Sequence, residues 1–521
     1  MRPIRFSPET ASIFVMMLAA LVRCGGSSSS PSHACTPGAS VACAGPGACA
    51  GFQVCKSDGS AFDACRCGSG ALSGFEAGFA GSTDATTSDR DADGGGEDDS
   101  TLVNGADSSI VLTPTESGSP NDAACTGLAC MVPPGCTTSM SGIVYDPAGR
   151  NPLYGAYVYI PTDSKGKLSP IGPGTRLCNT CAQSIGSTVT ATITDAKGHF
   201  SLIGVPATAN VPIVAQIGKW RREITMAQVT ACMDNAVPDG SVRLPRTRAE
   251  GDMPQMALLT GGCDDLGCFL RNVGIDSSEF TAPHGGGRLD VYQGAGLGGV
   301  GNGPGLSSAT AGNCTSSSCP LWSSKSSLES YDLVLLACEC AVPGNAPPAA
   351  VTAMHDWVEE GGRLLATHFH YTWFQNGPAD FQGVATWLGS STATGVGTYA
   401  LDTSFPKGAA LATWLGADAG IALSSVGASV SSVAPTTRRW IYDPNSSPAE
   451  TKAFSFETPV GAGPYCGKAV FSDMHAGSSP SGDVPAACSS RPLTEEEKAL
   501  EFLLFDLSAC VSDDTMAPPL P

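Results

Sequence analysis

Seven histidines are spread over 521 residues, and three of them fall just past apolar runs that read as strands. RLLAT leads into His368 and His370, and AVFS leads into Asp473 and His475. MALLTGG is followed by Asp264 and Asp265, and YDLVLLAC by Glu339. Zinc and related ions accept imidazole and carboxylate at ~2.0–2.2 Å, so His368, His370, Asp473 and His475 are candidate ligands of a divalent metal. Residues two apart in a strand share a face, which would let His368 and His370 converge. Asp264, Asp265 and Glu339 are the matching candidates for a catalytic base. The same residues also suit a pocket that binds without reacting, such as one for a sugar stacked on Tyr371 or Trp373, or plain hydrogen bonding inside a packed loop. No Gly-x-Ser-x-Gly elbow and no His-Glu-x-x-His helix is present.

The elements that must hold these groups lie in residues 253–512, where strand and helix patterns alternate. DDLGCFLRNVG places Leu266, Phe269, Leu270 and Val273 on one helical face, with Gly274 as the stop. AVTAMHDWVEEGG turns Val351, Met354 and Val358 inward, and a capping box from Thr494 to Glu497 opens a last helix carrying Leu500, Leu503, Leu504 and Leu507. Strands separated by helices predict a three-layer α/β domain, a parallel sheet with helices on both faces. Ligands of such sheets bind beyond the C-terminal strand ends, where the candidates fall.

Residues 136–252 have a different texture. Thr188, Thr190, Thr192 and Thr194 alternate with Val189, Ala191 and Ile193, the period of a half-buried strand, and Asp195 to Gly198 read as a hairpin turn. Short runs on either side, rich in β-branched and aromatic residues, predict further strands. Lys219, Trp220, Arg221 and Arg222 form a dense basic–aromatic cluster that reads either as a clamp for an acidic partner or as a solvated strand edge.

The N-terminal part is not built to bury a core. Residues 1–24 read as an export signal, with Arg2 and Arg5 ahead of the ten apolar residues Ile13 to Val22. That run is too short to span a bilayer, which takes ~20 residues. Residues 25–67 carry Cys35, Cys43, Cys49, Cys55, Cys65 and Cys67 among Gly and Pro, a small module that needs disulfide staples. Residues 68–135 form an acidic Ser/Gly-rich linker. Its stretch 68–124 holds eleven acidic residues and one basic, and its composition predicts disorder. Residues 513–521 read as a tail.

Charge and cysteine content bound the whole. Lys plus Arg number 28 and Asp plus Glu 48, so the net charge of −20 argues against nucleic acid as a partner. Twenty-two cysteines suit an oxidising compartment. Disulfides are the expected state of Cys338 and of Cys340, which lie near other cysteines, of Cys178 with Cys181, and of Cys314 with Cys319.

Several segments resemble known families. Cys24, followed by Gly25, Gly26 and four serines, resembles the end of a bacterial lipoprotein signal, although Arg23 stands where a small residue is usual. That resemblance implies a diacylated Cys24 and a membrane partner, with ordinary secretion as the alternative. SGIVYDPAGRNPLYGAYVYIP and TDAKGHFSLIGVP resemble the carboxypeptidase regulatory-like (transthyretin-like) β-sandwich, a scaffold or binding accessory. YDLVLLACE, EEGGRLLATHFHY and CGKAVFSDMHAG resemble the class I glutamine amidotransferase-like superfamily, especially its trehalose-utilisation-type branch. There the strand after paired glycines ends in a nucleophilic cysteine. Here the position falls on His368, so glutamine hydrolysis is not implied. The whole layout resembles surface lipoproteins for which the resemblance implies no particular activity.

The expectation is therefore an exported cell-surface or outer-membrane protein, lipid-anchored at Cys24, with a non-catalytic binding or structural role. An extracellular glycan or protein is the expected ligand, and no cofactor is expected. The alternative is a metal-dependent hydrolase of an extracellular sugar or peptide.

Overall fold

The computed structural model describes residues 125–519 apart from 164–167, 173, 175–177, 179–184, 300, 390–395, 418–419, 425, 448 and 478–481. N-terminal to these it describes residues 40–44, 50–54, 60–61 and 66–67. The chain divides into two compact units, Met1–Pro114 and Thr115–Pro521. In the first, β1 (Ser40–Ala44), β2 (Ala50–Val54) and β3 (Arg66–Cys67) form an antiparallel ladder in that order. The export signal, Cys24 and the acidic segment 68–124 lie outside the described residues.

The second unit begins with two small sheets. β4 (Ser139–Ile143), β7 (His199–Ile203) and β10 (Asp234–Ala236) make one, in the order β10-β4-β7. β5 (Tyr157–Pro161), β6 (Thr188–Ile193), β8 (Ala209–Ile217) and β9 (Trp220–Gln228) make the other, in the order β6-β5-β8-β9. In β7, Phe200 and Leu202 are buried while His199, Ser201 and Ile203 are exposed, the alternation of a strand with one wet face. Met140, Phe200 and Leu202 of the first sheet share a core with Val158, Ile160, Val211, Ile213 and Ala215 of the second. The predicted hairpin at Asp195 to Gly198 is instead a corner between sheets, since β6 pairs with β5 and β7 with β4. Its geometry is as tight as a hairpin's. Gly198 takes φ +74°, and the Asp195 carboxylate accepts from the backbone N–H groups of Lys197 and His199.

Further along the chain lies a mixed sheet. β11 (Met256–Thr260), β12 (Leu289–Gln293), β13 (Leu333–Leu336), β14 (Arg363–Thr367), β15 (Gly397–Leu401), β16 (Arg438–Tyr442), β17 (Thr451–Thr458) and β18 (Gly467–Ser472) run in the order β12-β11-β13-β14-β18-β17-β16-β15. The ladders from β12 to β18 are parallel, and those from β18 to β15 antiparallel. The wholly parallel sheet expected from the strand–helix alternation is thus only half of this one. After β18 the sheet continues through β17, β16 and β15, which come earlier in the sequence.

Central strands of the parallel half are buried on both faces, which explains their continuous apolar runs. Leu258, Leu335, Leu365 and Val470 pack on one face with α1 (Leu266–Val273) and α4 (Glu495–Ser508). Leu259, Val334, Leu364 and Phe471 pack on the other with α2 (Pro348–Glu359). Gly274 closes α1 at φ +112°, and the Thr494–Glu497 capping box opens α4.

One core runs through 136–252 and 253–512, with no break at residue 252. Two expectations change here. Trp220 is wholly buried edge-on to Phe505, Arg221 pairs with Asp252 and Lys219 with Asp332, so the basic–aromatic cluster is an internal fastening. Residues 513–519 are not a loose tail, since Asp514 is buried against Lys407, of α3 (Pro406–Leu415), and Lys468.

Disulfides join Cys125–Cys130, Cys136–Cys232, Cys178–Cys466, Cys263–Cys340, Cys268–Cys488 and Cys314–Cys319. Cys314–Cys319 matches expectation, whereas Cys178 pairs with Cys466 and not with Cys181. So many disulfides suggest an exported protein. No helix among the described residues is long and apolar enough to cross a membrane.

Candidate functional site

Three adjacent parallel strands, β13, β14 and β18, deliver the site. Leu336 is level with Ala366, and Thr367 with Ser472, so the residues just past these strands emerge side by side. They are Cys338, His368, and Asp473 with His475. At His368 the chain turns sharply, taking φ +39°, and enters a short 3-10 turn, His368–Tyr371. A positive φ at a bulky residue is uncommon and places its side chain back over the strand ends.

His368 Nδ1 lies 3.0 Å from His475 Nε2 and 3.5 Å from Cys338 Sγ. The two rings stand at 88°, and the His368 ring stacks on Phe369 at 4.1 Å. Cys338 is 0% exposed, and His368 and His475 are each 5% exposed. Cys338 carries a free thiol, which corrects the expected disulfide, because Cys340 is taken by Cys263. Burial pushes that thiol up to about 12, so it stays protonated at neutral pH.

The expected pairing of His368 with His370 does not form, because the chain leaves the extended conformation at His368. His370 Nε2 donates to Ala337 O at 3.0 Å, and its Nδ1 accepts from Trp373 Nε1 at 3.1 Å. Those roles fix a neutral tautomer, and burial pushes its pKa down to about 4. Asp473 also turns elsewhere. It accepts from Ser429 N and Ser429 Oγ, both at 2.8 Å, and burial raises it to about 6.

The candidate bases are dispersed. Asp264, wholly buried, accepts from Thr367 Oγ1 at 2.6 Å and Ala476 N at 2.7 Å, and burial raises its pKa. Asp265 caps α1 by accepting from Cys268 N, and burial raises it as well. Glu339 Oε1 accepts from Ala295 N at 2.7 Å, while Oε2 lies 4.0 Å from His370 Nε2 and burial again raises the group. Tyr371 and Trp373 are 3% and 2% exposed and pack on Trp387 and Trp322, leaving no open ring face for a sugar.

Among the described residues, two groups bring metal-type donors within 4.8 Å of one another: Cys338 with His368 and His475, and His355 with Glu359 and Asp380 near the surface. Cys338 is the member that strand-end reasoning passed over.

No family model matches the chain, and no curated protein sequence does. Among solved structures, the major pilin subunit BcpA of Bacillus cereus aligns with 13% identity over 21% of this chain and 30% of the pilin, at a TM-score of 0.13. A type II cohesin–X-dockerin complex from Acetivibrio cellulolyticus aligns with 15% identity over 29% of this chain and 78% of that one, at 0.14. At those scores neither likeness bears on fold or function.

Proposed function

We propose that the protein is an exported, lipid-anchored surface protein with a non-catalytic binding or structural role. In this reading its Cys-rich module and acidic segment form a stalk. The two small sheets are a carboxypeptidase regulatory-like β-sandwich, and the mixed sheet is an amidotransferase-like domain without the amidotransferase nucleophile. The observation that carries the reading is closure of the strand-end site. Cys338, His368, His475, Asp264 and Asp473 are each at most 5% exposed, so a sugar or peptide has no route to them. His368 occupies the sharp turn where the resemblance places a thiol, and the one nearby thiol is protonated. A free Cys338 also agrees with an acylated Cys24, because 22 cysteines less these two leave 20, an even number that can pair. The bound ligand in this reading is an extracellular glycan or protein taken up away from the strand ends.

Two measurements test it on the full chain expressed in a Gram-negative host. Wild-type protein should fractionate with membranes and incorporate labelled fatty acid, and Cys24→Ala should do neither. The purified protein should show no glutaminase, peptidase or glycosidase turnover. Turnover abolished by His368→Ala in a folded variant would refute the non-catalytic reading.

A further inference from the structure

Cys338, His368 and His475 bring three metal-type donor atoms within 4.8 Å of one another. His368 Nδ1 faces two polar atoms at once, His475 Nε2 at 3.0 Å and Cys338 Sγ at 3.5 Å. In either neutral tautomer that nitrogen has a single proton or a single lone pair to offer. Together the three residues offer a cation two imidazole nitrogens and one sulfur.

The distances suit such a cation. Bonds of ~2.0–2.1 Å to nitrogen and ~2.3 Å to sulfur, at tetrahedral angles, put the two nitrogens about 3.3 Å apart and sulfur about 3.5 Å from nitrogen. The His368–His475 and His368–Cys338 separations are 3.0 Å and 3.5 Å, and Cys338 and His475 lie within 4.8 Å of each other. The three donors come from three neighbouring strand ends whose register is set by continuous ladders, so they are pre-positioned by the sheet. Asp264 is placed to offset the charge. It interacts electrostatically with His475 and is itself held by Thr367 and Ala476.

We infer that Cys338, His368 and His475 bind a thiophilic transition-metal ion, zinc(II) or copper, in a site closed from solvent. Binding exchanges the thiol proton for the metal. With zinc(II), the Cys338 S–H bond breaks, the S–Zn bond forms, the two imidazoles donate lone pairs, and one proton leaves to the buffer, without oxidation or reduction. Once formed, the site clamps β13, β14 and β18 together at their open ends. It differs from the ligand set suggested by strand-end reading, since Cys338 enters and His370 and Asp473 do not.

The test uses the full chain purified from an oxidising compartment, incubated with zinc or with copper in separate arms, dialysed, and analysed by elemental mass spectrometry. Stoichiometric retention of one of the two ions is expected, lost in Cys338→Ser and in His475→Asn and kept in His355→Ala. The arm that retains metal identifies the ion. The thermal midpoint of wild type should rise with that ion, and that of Cys338→Ser should not. Retention that survives Cys338→Ser and disappears in His355→Ala would place the metal at the surface cluster and overturn the proposal. If the variants do not fold, wild-type protein titrated with cobalt(II) and with copper(II) decides the matter. A thiolate-to-metal charge-transfer band is expected with at least one of them. Folded protein that shows no band with either ion overturns the assignment.

Discussion

Asp146 and Glu501 meet carboxyl to carboxyl in the interior, both 0% exposed, one just after β4 and the other within α4. Asp146 Oδ1 accepts from Arg150 N at 2.7 Å and Glu501 Oε2 from Asn151 Nδ2 at 2.7 Å. The remaining oxygens, Oδ2 and Oε1, have no donor among the described residues, and the two carboxyl groups interact with each other. One proton shared by the two carboxyls would meet that need. Burial and the facing Asp146 charge hold Glu501 well above the ordinary glutamate range.

Because Glu501 holds its proton more tightly when folded, its contribution to stability is complete below the ordinary glutamate value. It is lost as pH rises through the raised folded value. Glu501→Gln keeps a donor for Asp146 and an acceptor for Asn151 without the titration. Wild type should therefore lose stability relative to Glu501→Gln as pH rises above the ordinary glutamate range. Thermal midpoints of both proteins from acid to mildly alkaline pH provide the check. A difference that does not change with pH would show that the pair shares no proton.

Removing Asp514 should be costly. Lys407 and Lys468 are both 2% exposed, and Asp506 and Asp514 are their carboxylate partners. Glu457, beside Lys468 at 3.8 Å, is pushed up to about 8 by burial and then by Asp514. Asp514→Ala should lower stability by about 3–5 kcal/mol, less whatever Glu457 restores on ionising once Asp514 is gone. Adding Glu457→Gln should then cost more than its effect in wild type. Denaturant titrations of the two single variants and the double variant measure this, and a loss under about 0.5 kcal/mol for Asp514→Ala would be incompatible with a buried charge cluster.

What could be read in the residues was what repeats locally. The strand at 188–193, the apolar face of α1 with its Gly274 stop, and the Thr494–Glu497 box each rest on a few neighbouring positions, and each is present, although all six residues of that strand are half-buried and its two faces do not alternate. What escaped depends on distant chain segments. Assigning His368 and His370 to one face assumed that the strand continued, but the chain turns at His368 and sends the two rings to different partners. Cys338 lies among other cysteines in sequence, yet Cys263, 77 positions from Cys340, takes that neighbour and leaves Cys338 to two histidines. Nothing local to Asp514 announces that it neutralises lysines 46 and 107 positions away.

The disulfide Cys268–Cys488 should matter more than the place of Cys268 in the first turn of a short helix suggests. It joins α1 to the segment before α4 across 220 positions, and both cysteines pack against the core. Loop-closure entropy over such a span reaches about 5 kcal/mol. Replacing both cysteines by alanine should lower the thermal midpoint more than opening Cys314–Cys319, which spans 5 positions. Melting curves of the two double variants, with peptide mapping of the remaining disulfides, decide between them. Equal losses would mean that chain entropy is not what this disulfide supplies.

Gly427 should tolerate no side chain, because the site leaves it no room. A Cβ there would fall 2.6 Å from His368 Cδ2, 2.7 Å from His368 Nε2 and 2.8 Å from Asp473 Oδ1. Gly427 cannot easily retreat, since its N–H donates to Asp473 O and its carbonyl accepts from Lys452 Nζ, both at 2.8 Å. The His368 ring must therefore move, and it is the ring that lies against Cys338 Sγ. Gly427→Ala should cost about 1–3 kcal/mol, and it should let iodoacetamide reach Cys338 in the folded protein, where wild type reacts only on unfolding. Mass mapping of the alkylated cysteine under native conditions is the measurement. A variant that keeps Cys338 protected while losing that stability would mean the strain is relieved through Asp473 and Ser429, leaving the His368 ring in place.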